Sequence, residues 1–506
     1  MDETRRGLIV VSNRLPYALS RDEAGRLTLQ PGAGGLVTAL VPVLRNRGGT
    51  WIGWSGIESD DRQLQAEAAR VLAGATRDAG YQLQPVPLSH AEVELYYHGY
   101  SNETIWPLFH DLQSQCRFDP EYGRAYDAVN RRFAETIARH ARVGDFIWVH
   151  DYQLMLVGHH LRELGVTAPV VYFHHIPFPS IDIFLKLPRR SYVIRALLGY
   201  DQLGFQTARD KRNFLQCVRT LVDGARVRSQ GSLHLIRWEG REIRVGAFPI
   251  GIDFEEFAGQ AAQEEVSRRA WNIHAGLPER QIILGVDRLD YTKGIPHRLE
   301  AVRTALKRHP ELHRRLTFVQ VVVPSRVDVP KYARLKEEIE RLVGEINGEF
   351  TQGGWVPIHY VYRALPREEL LAYYRTSEIA LITPLQDGMN LVAKEYCACT
   401  LEDNSVLILS EFAGSAAQLH RGALLVNPYD VEEVADAIHR AYMMPSEERR
   451  ARMRRMRRVI RQQHIFWWVD TFMQSAIAKD LSDFPVLEEY DFIPPERVHP
   501  EEQSSG

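Results

Sequence analysis

A chain of 506 residues is too long for one ordinary core, and its 45% hydrophobic and 25% charged residues are those of a globular protein. A net charge of -3 offers no general basic field for nucleic acid, and no apolar run is long enough to span a bilayer. Four cysteines, at 116, 217, 397 and 399, lack the paired spacing of a zinc site and suit a reducing compartment. The N-terminus has no apolar core or cleavage site of a signal peptide, so a cytoplasmic location is expected.

In chain order, short Val-, Ile- and Leu-rich runs alternate with amphipathic stretches. The runs predict strands over 8–12, 146–149, 170–173, 202–205, 282–286, 316–323, 379–383, 406–409 and 423–426. The amphipathic stretches predict helices over 37–46, 154–164, 208–221, 296–308, 329–347, 368–376, 391–400 and 431–442. Strands that are apolar without alternation are buried on both faces, so this is an α/β protein with parallel sheets. The segment FPIGID, at 248–253, interrupts the series before a polar helical stretch at 254–272. Two doubly wound, Rossmann-like domains are expected, 1–250 and 251–463. An aromatic amphipathic helix over 464–484 would cross back to the first domain, and 485–506 would form a loosely packed acidic tail. The Arg-rich run at 449–461 is expected to be a solvated helix face. Cys397 and Cys399 read as small apolar residues inside a helix.

Ligands of open α/β sheets sit beyond the C-terminal ends of the strands. Polar residues recur at that position here: Arg14, Asp151, His175, Gln206 with Thr207, Arg288, Arg326, Asp387 and Glu411. Arg288 and Lys293, in DRLDYTKG, place two cations on one strand-to-helix loop, as a diphosphate requires. In QDGMN, Gly388 lets the backbone come close, and the amides of Met389, Asn390 and Leu391 point outward at a helix start. Asp387 would accept from sugar hydroxyls, and Glu395, two turns on, would reach a ribose diol. Taken alone, Asp387 is as well explained by a helix cap, and Glu395 by a solvated face. There is no G-x-x-x-x-G-K-[ST] loop, and GAGGLV at 32–37 lacks the third glycine of a dinucleotide fingerprint. No D-x-D triplet is present to hold a nucleotide sugar through a metal, so cationic side chains and helix dipoles would take the metal's role.

The segments VVSNRLPY, GAGGL, WIGWSG, YYHGYSNETIWP, WVHDYQL, FHHIPFP, LGFQT, VDRLDYTKG, PSRVDV, PLQDGMNLVAKEY and SEFAG, in this order, resemble the trehalose-6-phosphate synthases. The resemblance runs from about residue 8 to about residue 480. It implies a GT-B fold, with two Rossmann-like domains facing across a cleft. It also implies metal-independent, retaining transfer of glucose from a nucleotide-diphosphate sugar to glucose 6-phosphate, giving α,α-trehalose 6-phosphate.

By the same resemblance, Arg288 and Lys293 hold the donor diphosphate, and Asp387 with the backbone of 388–391 holds donor glucose and phosphates. Glu395 binds ribose, and Leu365 lies in the segment around the nucleotide base. His175 meets the donor sugar near the reacting carbon, and Asp151 meets hydroxyls of the reacting sugars. Arg14, Trp54, Tyr97, Trp106 and Arg326 form the acceptor pocket with Asp151, and Gly35, one of the donor-binding residues, completes with Trp54 the loop region over the site. The guanidinium forks suit a phosphomonoester and the aromatic faces suit a sugar ring. His175 is also well explained as a hydrogen-bonded core residue, and His174 should point to the opposite face.

No cofactor or metal is expected beyond the nucleotide sugar. UDP-glucose is the first choice of donor, with ADP- and GDP-glucose open. A homo-oligomer, dimer or tetramer, and a separate trehalose-6-phosphate phosphatase acting downstream are implied. Neither nucleic acid nor a membrane is expected as a partner. Two rivals remain. A glucosylglycerol-phosphate synthase would use glycerol 3-phosphate as acceptor, and a non-catalytic sugar-phosphate sensor would share the fold.

Overall fold

The computed structural model describes residues 7–21, 26–31, 35–58, 60–277, 280–325 and 330–478. Two sheets organise the chain. In the first, seven strands run parallel in the order Gln82–Pro85, Thr50–Trp54, Leu8–Arg14, Phe146–His150, Val170–Phe173, Gln202–Phe205 and Arg241–Ala247. Leu233–Trp238 and Arg226–Gln230 extend it antiparallel. The second sheet is parallel throughout, in the order Ile358–Val361, Leu316–Val323, Gln281–Arg288, Ile379–Ile382, Val406–Ser410 and Leu424–Val426.

Apolar runs without alternation do form strands covered on both faces. Ile9 and Val11 join one buried cluster, while Leu8 and Val10 join the cluster on the other side. Each sheet places its first strand inside, with the second and third to one side and the fourth and all later strands to the other. The order therefore reverses between Leu8–Arg14 and Phe146–His150, and again between Gln281–Arg288 and Ile379–Ile382. Loops on the two sides of such a reversal part and leave a crevice. The crevice of the first sheet is bordered by Arg14 and Asp151, and that of the second by the loops carrying Arg288 and Asp387.

Two stretches cross between the sheets and lie side by side. Ile465 donates its N–H to the Ile252 carbonyl at 3.0 Å. A side chain on Gly251 would run into the backbone of Gln463 and His464. The helix Ile465–Ile477 then packs on the first sheet, as expected from its aromatic face. Trp148 stacks on Phe472 with ring centres 4.9 Å apart, Trp468 Nε1 donates to the Phe248 carbonyl at 3.1 Å, and Gln202 Nε2 donates to the Phe472 carbonyl at 2.9 Å. The last residues of the expected 464–484 segment and the tail, 485–506, lie outside the described residues.

Three expectations need correction. The helix expected over 154–164 is a 3-10 turn at Tyr152–Leu154 followed by a helix at Val157–Glu163. Side chains of the Pro120–His140 helix capture the intervening backbone: Tyr126 Oη donates to the Tyr152 carbonyl, and Met155 and Leu156 donate to Tyr126 Oη and Asn130 Oδ1. The Arg-rich helix, Ser446–Gln462, is not simply a solvated face. Arg449 is buried and donates to the carbonyls of Ala441, Tyr442 and Met444, while Arg457 donates to those of Cys397, Ala398 and Thr400. The polar stretch at 254–272 is two helices, Phe254–Ala261 and Glu264–Ala275. Cys397 and Cys399 are buried free thiols in the helix Leu391–Cys399, as expected.

Candidate active site

At the reversal in the second sheet, two loops meet. One leaves Gln281–Arg288, turns through Tyr291–Lys293 and enters the helix Ile295–Arg308 at Gly294. Gly294 has φ 63°, and a Cβ there would lie 2.8 Å from the Thr383 carbonyl, so only glycine fits this turn. The other loop leaves Ile379–Ile382 and enters the helix Leu391–Cys399 at Asn390, whose side chain caps the Ala393 N–H at 3.1 Å. Two helix N-termini thus open onto one crevice. Lys293 Nζ lies 2.5 Å from Asp387 Oδ2, which also takes a hydrogen bond from Asn390 Nδ2 at 3.2 Å. Burial would raise the Asp387 carboxyl, but the Lys293 ammonium overcomes it and holds the group below its usual range.

One expectation about this loop changes. Asp387 Oδ1 accepts from the Met389 N–H at 3.2 Å, so that amide is already engaged inside the turn. Gly388 packs against the backbone of His175 and Ile176, and Gly414 packs against Gly388 in turn, so the loop is clamped from both sides. Beneath it lies a network that sequence reasoning missed. The buried Arg298 pairs with Asp287 and reaches Gln320 Oε1 at 3.1 Å, Thr383 Oγ1 at 3.0 Å and the Lys293 carbonyl at 3.3 Å. Asp290, also missed, caps the Thr292 N–H at 3.1 Å and lies 3.7 Å from Arg288. Asp287 and Asp290 stand in the VDRLDYTKG segment itself.

Glu395 is half-buried and accepts from Tyr374 Oη at 3.0 Å; desolvation raises its carboxyl, so it is not a freely solvated face. Leu365 packs on the core of the second sheet, in the loop between Ile358–Val361 and Arg367–Thr376.

Facing this loop, the first sheet presents Asp151 and His175. Asp151 adopts φ 76°, a left-handed conformation that costs of order 1–3 kcal/mol for a residue with a Cβ. Its Oδ1 accepts from the N–H groups of Tyr152, at 2.9 Å, and His175, at 3.2 Å. Desolvation outweighs these bonds and the Arg288 charge, and pushes the carboxyl up to about 7. The His175 ring is buried. Its Nε2 lies 3.1 Å from His150 Nδ1 and its Nδ1 lies 3.2 Å from Gln206 Nε2. Burial lowers the imidazole to about 3, so it stays neutral and is no general acid. His174 packs on the other side, against Phe109, Phe178 and Phe205, with Tyr172 Oη 3.0 Å from its Nδ1, as the alternation requires.

Arg14, Trp54 and Tyr97 come together. The Arg14 guanidinium carbon sits 4.5 Å from the Trp54 ring centre and 5.5 Å from that of Tyr97. Trp106 lies against Tyr152 and His110, and the Arg288 guanidinium carbon from the opposite sheet approaches its ring centre at 5.8 Å. The two halves therefore touch at Arg288–Trp106 and at Gly388–His175. Gly35 begins the helix Gly35–Arg47, and Arg326 lies outside the described residues. Among the described residues two other clusters have ligand types suited to a metal, His159 with His160 and Glu163, and His309 with Glu311 and His439. Both are already engaged in pairs: His160 with Asp127 and Glu163, and His439 with Glu311.

Comparison with known proteins gives a consistent result. The model of glycosyltransferase family 20 matches residues 6–478. A trehalose-6-phosphate synthase of Mycolicibacterium smegmatis is 42% identical over 475 residues, 93% of this chain and 92% of its own. One of Mycobacterium marinum is 44% identical over 474 residues, 92% and 93% of the two chains. The Burkholderia xenovorans synthase solved in complex with glucose 6-phosphate superposes with a TM-score of 0.83 at 34% identity, covering 93% of this chain and 100% of that one. The E. coli protein bound with UDP-2-fluoro glucose gives 0.82 at 35% identity, covering 93% and 98%.

Proposed function

The chain belongs to glycosyltransferase family 20, and from that premise we propose that it transfers glucose from a nucleotide-diphosphate glucose to glucose 6-phosphate with retention, releasing α,α-trehalose 6-phosphate and the nucleoside diphosphate. The fold is GT-B, two Rossmann-like domains facing across a cleft with the C-terminal helix crossing back. We divide it as 1–250 for the acceptor, 251–463 for the donor, 464–484 for the returning helix and 485–506 for the tail. The observation that carries the reading is the pairing of Lys293 with Asp387 between two helix N-termini. A cation, a carboxylate and two dipole ends converge there, as a sugar diphosphate needs.

In this reading the donor diphosphate displaces the Asp387 carboxylate from Lys293, and Asp387 turns to the hydroxyls of the donor glucose. Arg288 closes over the phosphates from the edge of the cleft. The Asn390 and Leu391 amides add hydrogen bonds at the helix start, and Glu395 takes the ribose, with Leu365 beside the base. The acceptor phosphate sits on Arg14 and Arg326, with its sugar against Trp54, Tyr97 and Trp106 and Gly35 in the loop above. As the bond from the anomeric carbon to the phosphate oxygen breaks, the departing phosphate takes the acceptor hydroxyl's proton on the same face. The acceptor oxygen then bonds to that carbon with retention. Arg288 and Lys293 stabilise the charge left on the phosphate, the task a metal performs elsewhere. His175 and Asp151 line the sugar side.

UDP-glucose is the donor of choice, since the E. coli relative is described bound with UDP-2-fluoro glucose. Among the described residues no helix is long and apolar enough to cross a membrane. A cytoplasmic homo-oligomer, followed by a separate phosphatase, completes the reading. The test measures nucleotide release from UDP-, ADP- and GDP-glucose, with glucose 6-phosphate or glycerol 3-phosphate, with and without EDTA. Release that needs glucose 6-phosphate and survives EDTA is expected. Turnover only with glycerol 3-phosphate would replace the acceptor, and binding without turnover would make the protein a sensor.

A further inference from the structure

One buried chain of hydrogen bonds runs through the cleft and out along the crossover between the sheets. It passes through both backbone groups of a single residue, Ile250. Ile250 lies in the first crossing stretch, between the strand Arg241–Ala247 and the helix Phe254–Ala261. Its N–H donates to Gln206 Oε1 at 2.9 Å. The Gln206 amide nitrogen therefore faces His175, where it lies 3.2 Å from Nδ1. That assignment leaves the His175 proton on Nε2, which donates to His150 Nδ1. On its other side the Ile250 carbonyl accepts from the Lys394 ammonium. Lys394 also donates to Gln418 Oε1, and Gln418 donates to Gln463 in the second crossing stretch.

Lys394 stands out for what it lacks. It is 3% exposed, yet its two partners are a carbonyl and an amide, not a carboxylate. A buried amine without a counter-ion is costly to charge, and desolvation lowers Lys394 to about 7, whereas a methionine would fill the same space without that penalty. The geometry points to a task beyond packing. Lys394 sits in the helix Leu391–Cys399, which begins at the Asp387–Asn390 donor loop. Gln206 holds the His175 ring, and the His175 backbone N–H donates to Asp151 Oδ1. We propose that Lys394 and Gln206 are positioning residues which, through the carbonyl and the N–H of Ile250, set the donor loop against the His175–Asp151 side of the cleft. The proposal rests on the transferase reading above. The balance is structural, with no covalent step added. The two residues add no substrate contact of their own, and the chain fixes the alignment between the halves.

The experiment compares wild type with Lys394→Met, Lys394→Gln, Gln206→Leu and the double variants. It reads kcat, KM for each substrate and the affinity for UDP alone. A displacement of about 1 Å costs on the order of 100-fold in rate, so Lys394→Met is expected to lose kcat on that scale while UDP affinity stays within about threefold. Lys394→Gln, which keeps an N–H for the Ile250 carbonyl, should recover most of the loss. Lys394 and Gln206 bond to the carbonyl and the N–H of one residue, so their effects on kcat should be non-additive, with the double variant no worse than the poorer single one. If Lys394→Met does not fold, Lys394→Leu takes its place in the same cycle with Gln206→Leu. Multiplicative losses in the cycle, or a Lys394→Met enzyme with wild-type kcat, overturn the proposal alone. A wild type that releases no nucleotide with any substrate pair overturns the functional reading, and this proposal with it.

Discussion

Lys293 and Asp387 form a 2.5 Å ion pair across the order reversal of the second sheet, between residues 94 positions apart in the chain. Both side chains are nearly buried, whereas Arg288, on the same loop as Lys293, is 51% exposed. The two cations are therefore expected to fail differently. Arg288→Ala should lower kcat by roughly two to three orders of magnitude and leave stability within about 0.5 kcal/mol of wild type. Lys293→Ala should lose as much rate and also leave the Asp387 carboxylate without its counter-ion, at a cost of about 1–3 kcal/mol in urea unfolding. Because the carboxyl is held below its usual range, that contribution is present at neutral pH and fades as pH falls through the lowered value. Equal stability of the two variants would argue against the pair.

Asp151 gives a pH dependence of the opposite sign. Desolvation holds its carboxyl near 7 in the folded protein, against 3.8 ordinarily. Between those values the folded state keeps a proton that the unfolded chain has lost. Its contribution to stability therefore falls as pH rises from about 4 to about 7 and is level above. Asp151→Asn keeps the acceptor oxygen and removes the titration. Unfolding free energies measured across this range should show a shallower decline in the variant, and identical profiles would place the Asp151 carboxyl in its ordinary range.

At the acceptor side, the Arg14 guanidinium lies over the Trp54 ring and beside Tyr97. Lysine keeps the charge and loses the planar fork and the stacking. Arg14→Lys should raise KM for glucose 6-phosphate about tenfold, a loss near 1.4 kcal/mol, with UDP affinity unchanged. A matching loss in UDP binding by calorimetry would remove Arg14 from the acceptor pocket.

Gly388 sits where the halves touch. A Cβ there would meet the His175 carbonyl and come within 2.7 Å of Ile176 Cα, which is backbone and does not swing aside. Gly388→Ala should cost about 1–3 kcal/mol of stability or force the halves apart, with kcat falling about 100-fold. An alanine variant of normal rate and melting temperature would show that the contact opens freely.

Much of this site was legible from strand ends. Arg14, Asp151, His175, Arg288 and Asp387 all stand where an apolar run stops, and the polarity switch is written in the residues themselves. Thr50–Trp54, Gln82–Pro85, Arg226–Gln230, Leu233–Trp238 and Arg241–Ala247 were missed, since they are short, polar or interrupted by glycine. The helix Pro120–His140 had a visible start, Asp119 as cap and Pro120 in the first turn, that periodicity alone overlooked. Asp290 and Arg298 went unmarked, because a single charged residue carries no sign of the partners that bury it.

By itself, then, the sequence determined the class of fold, the family and the side chains offered at the strand ends. These are local properties, set by which residues follow which. Only the tertiary structure decided how those side chains are committed. It tied Lys293 to Asp387, enclosed His175 between His150 and Gln206, and joined Lys394 to the crossing peptide at Ile250. Desolvation and hydrogen bonding depend on neighbours tens to hundreds of residues away, and strand order, not strand sequence, brings those neighbours together.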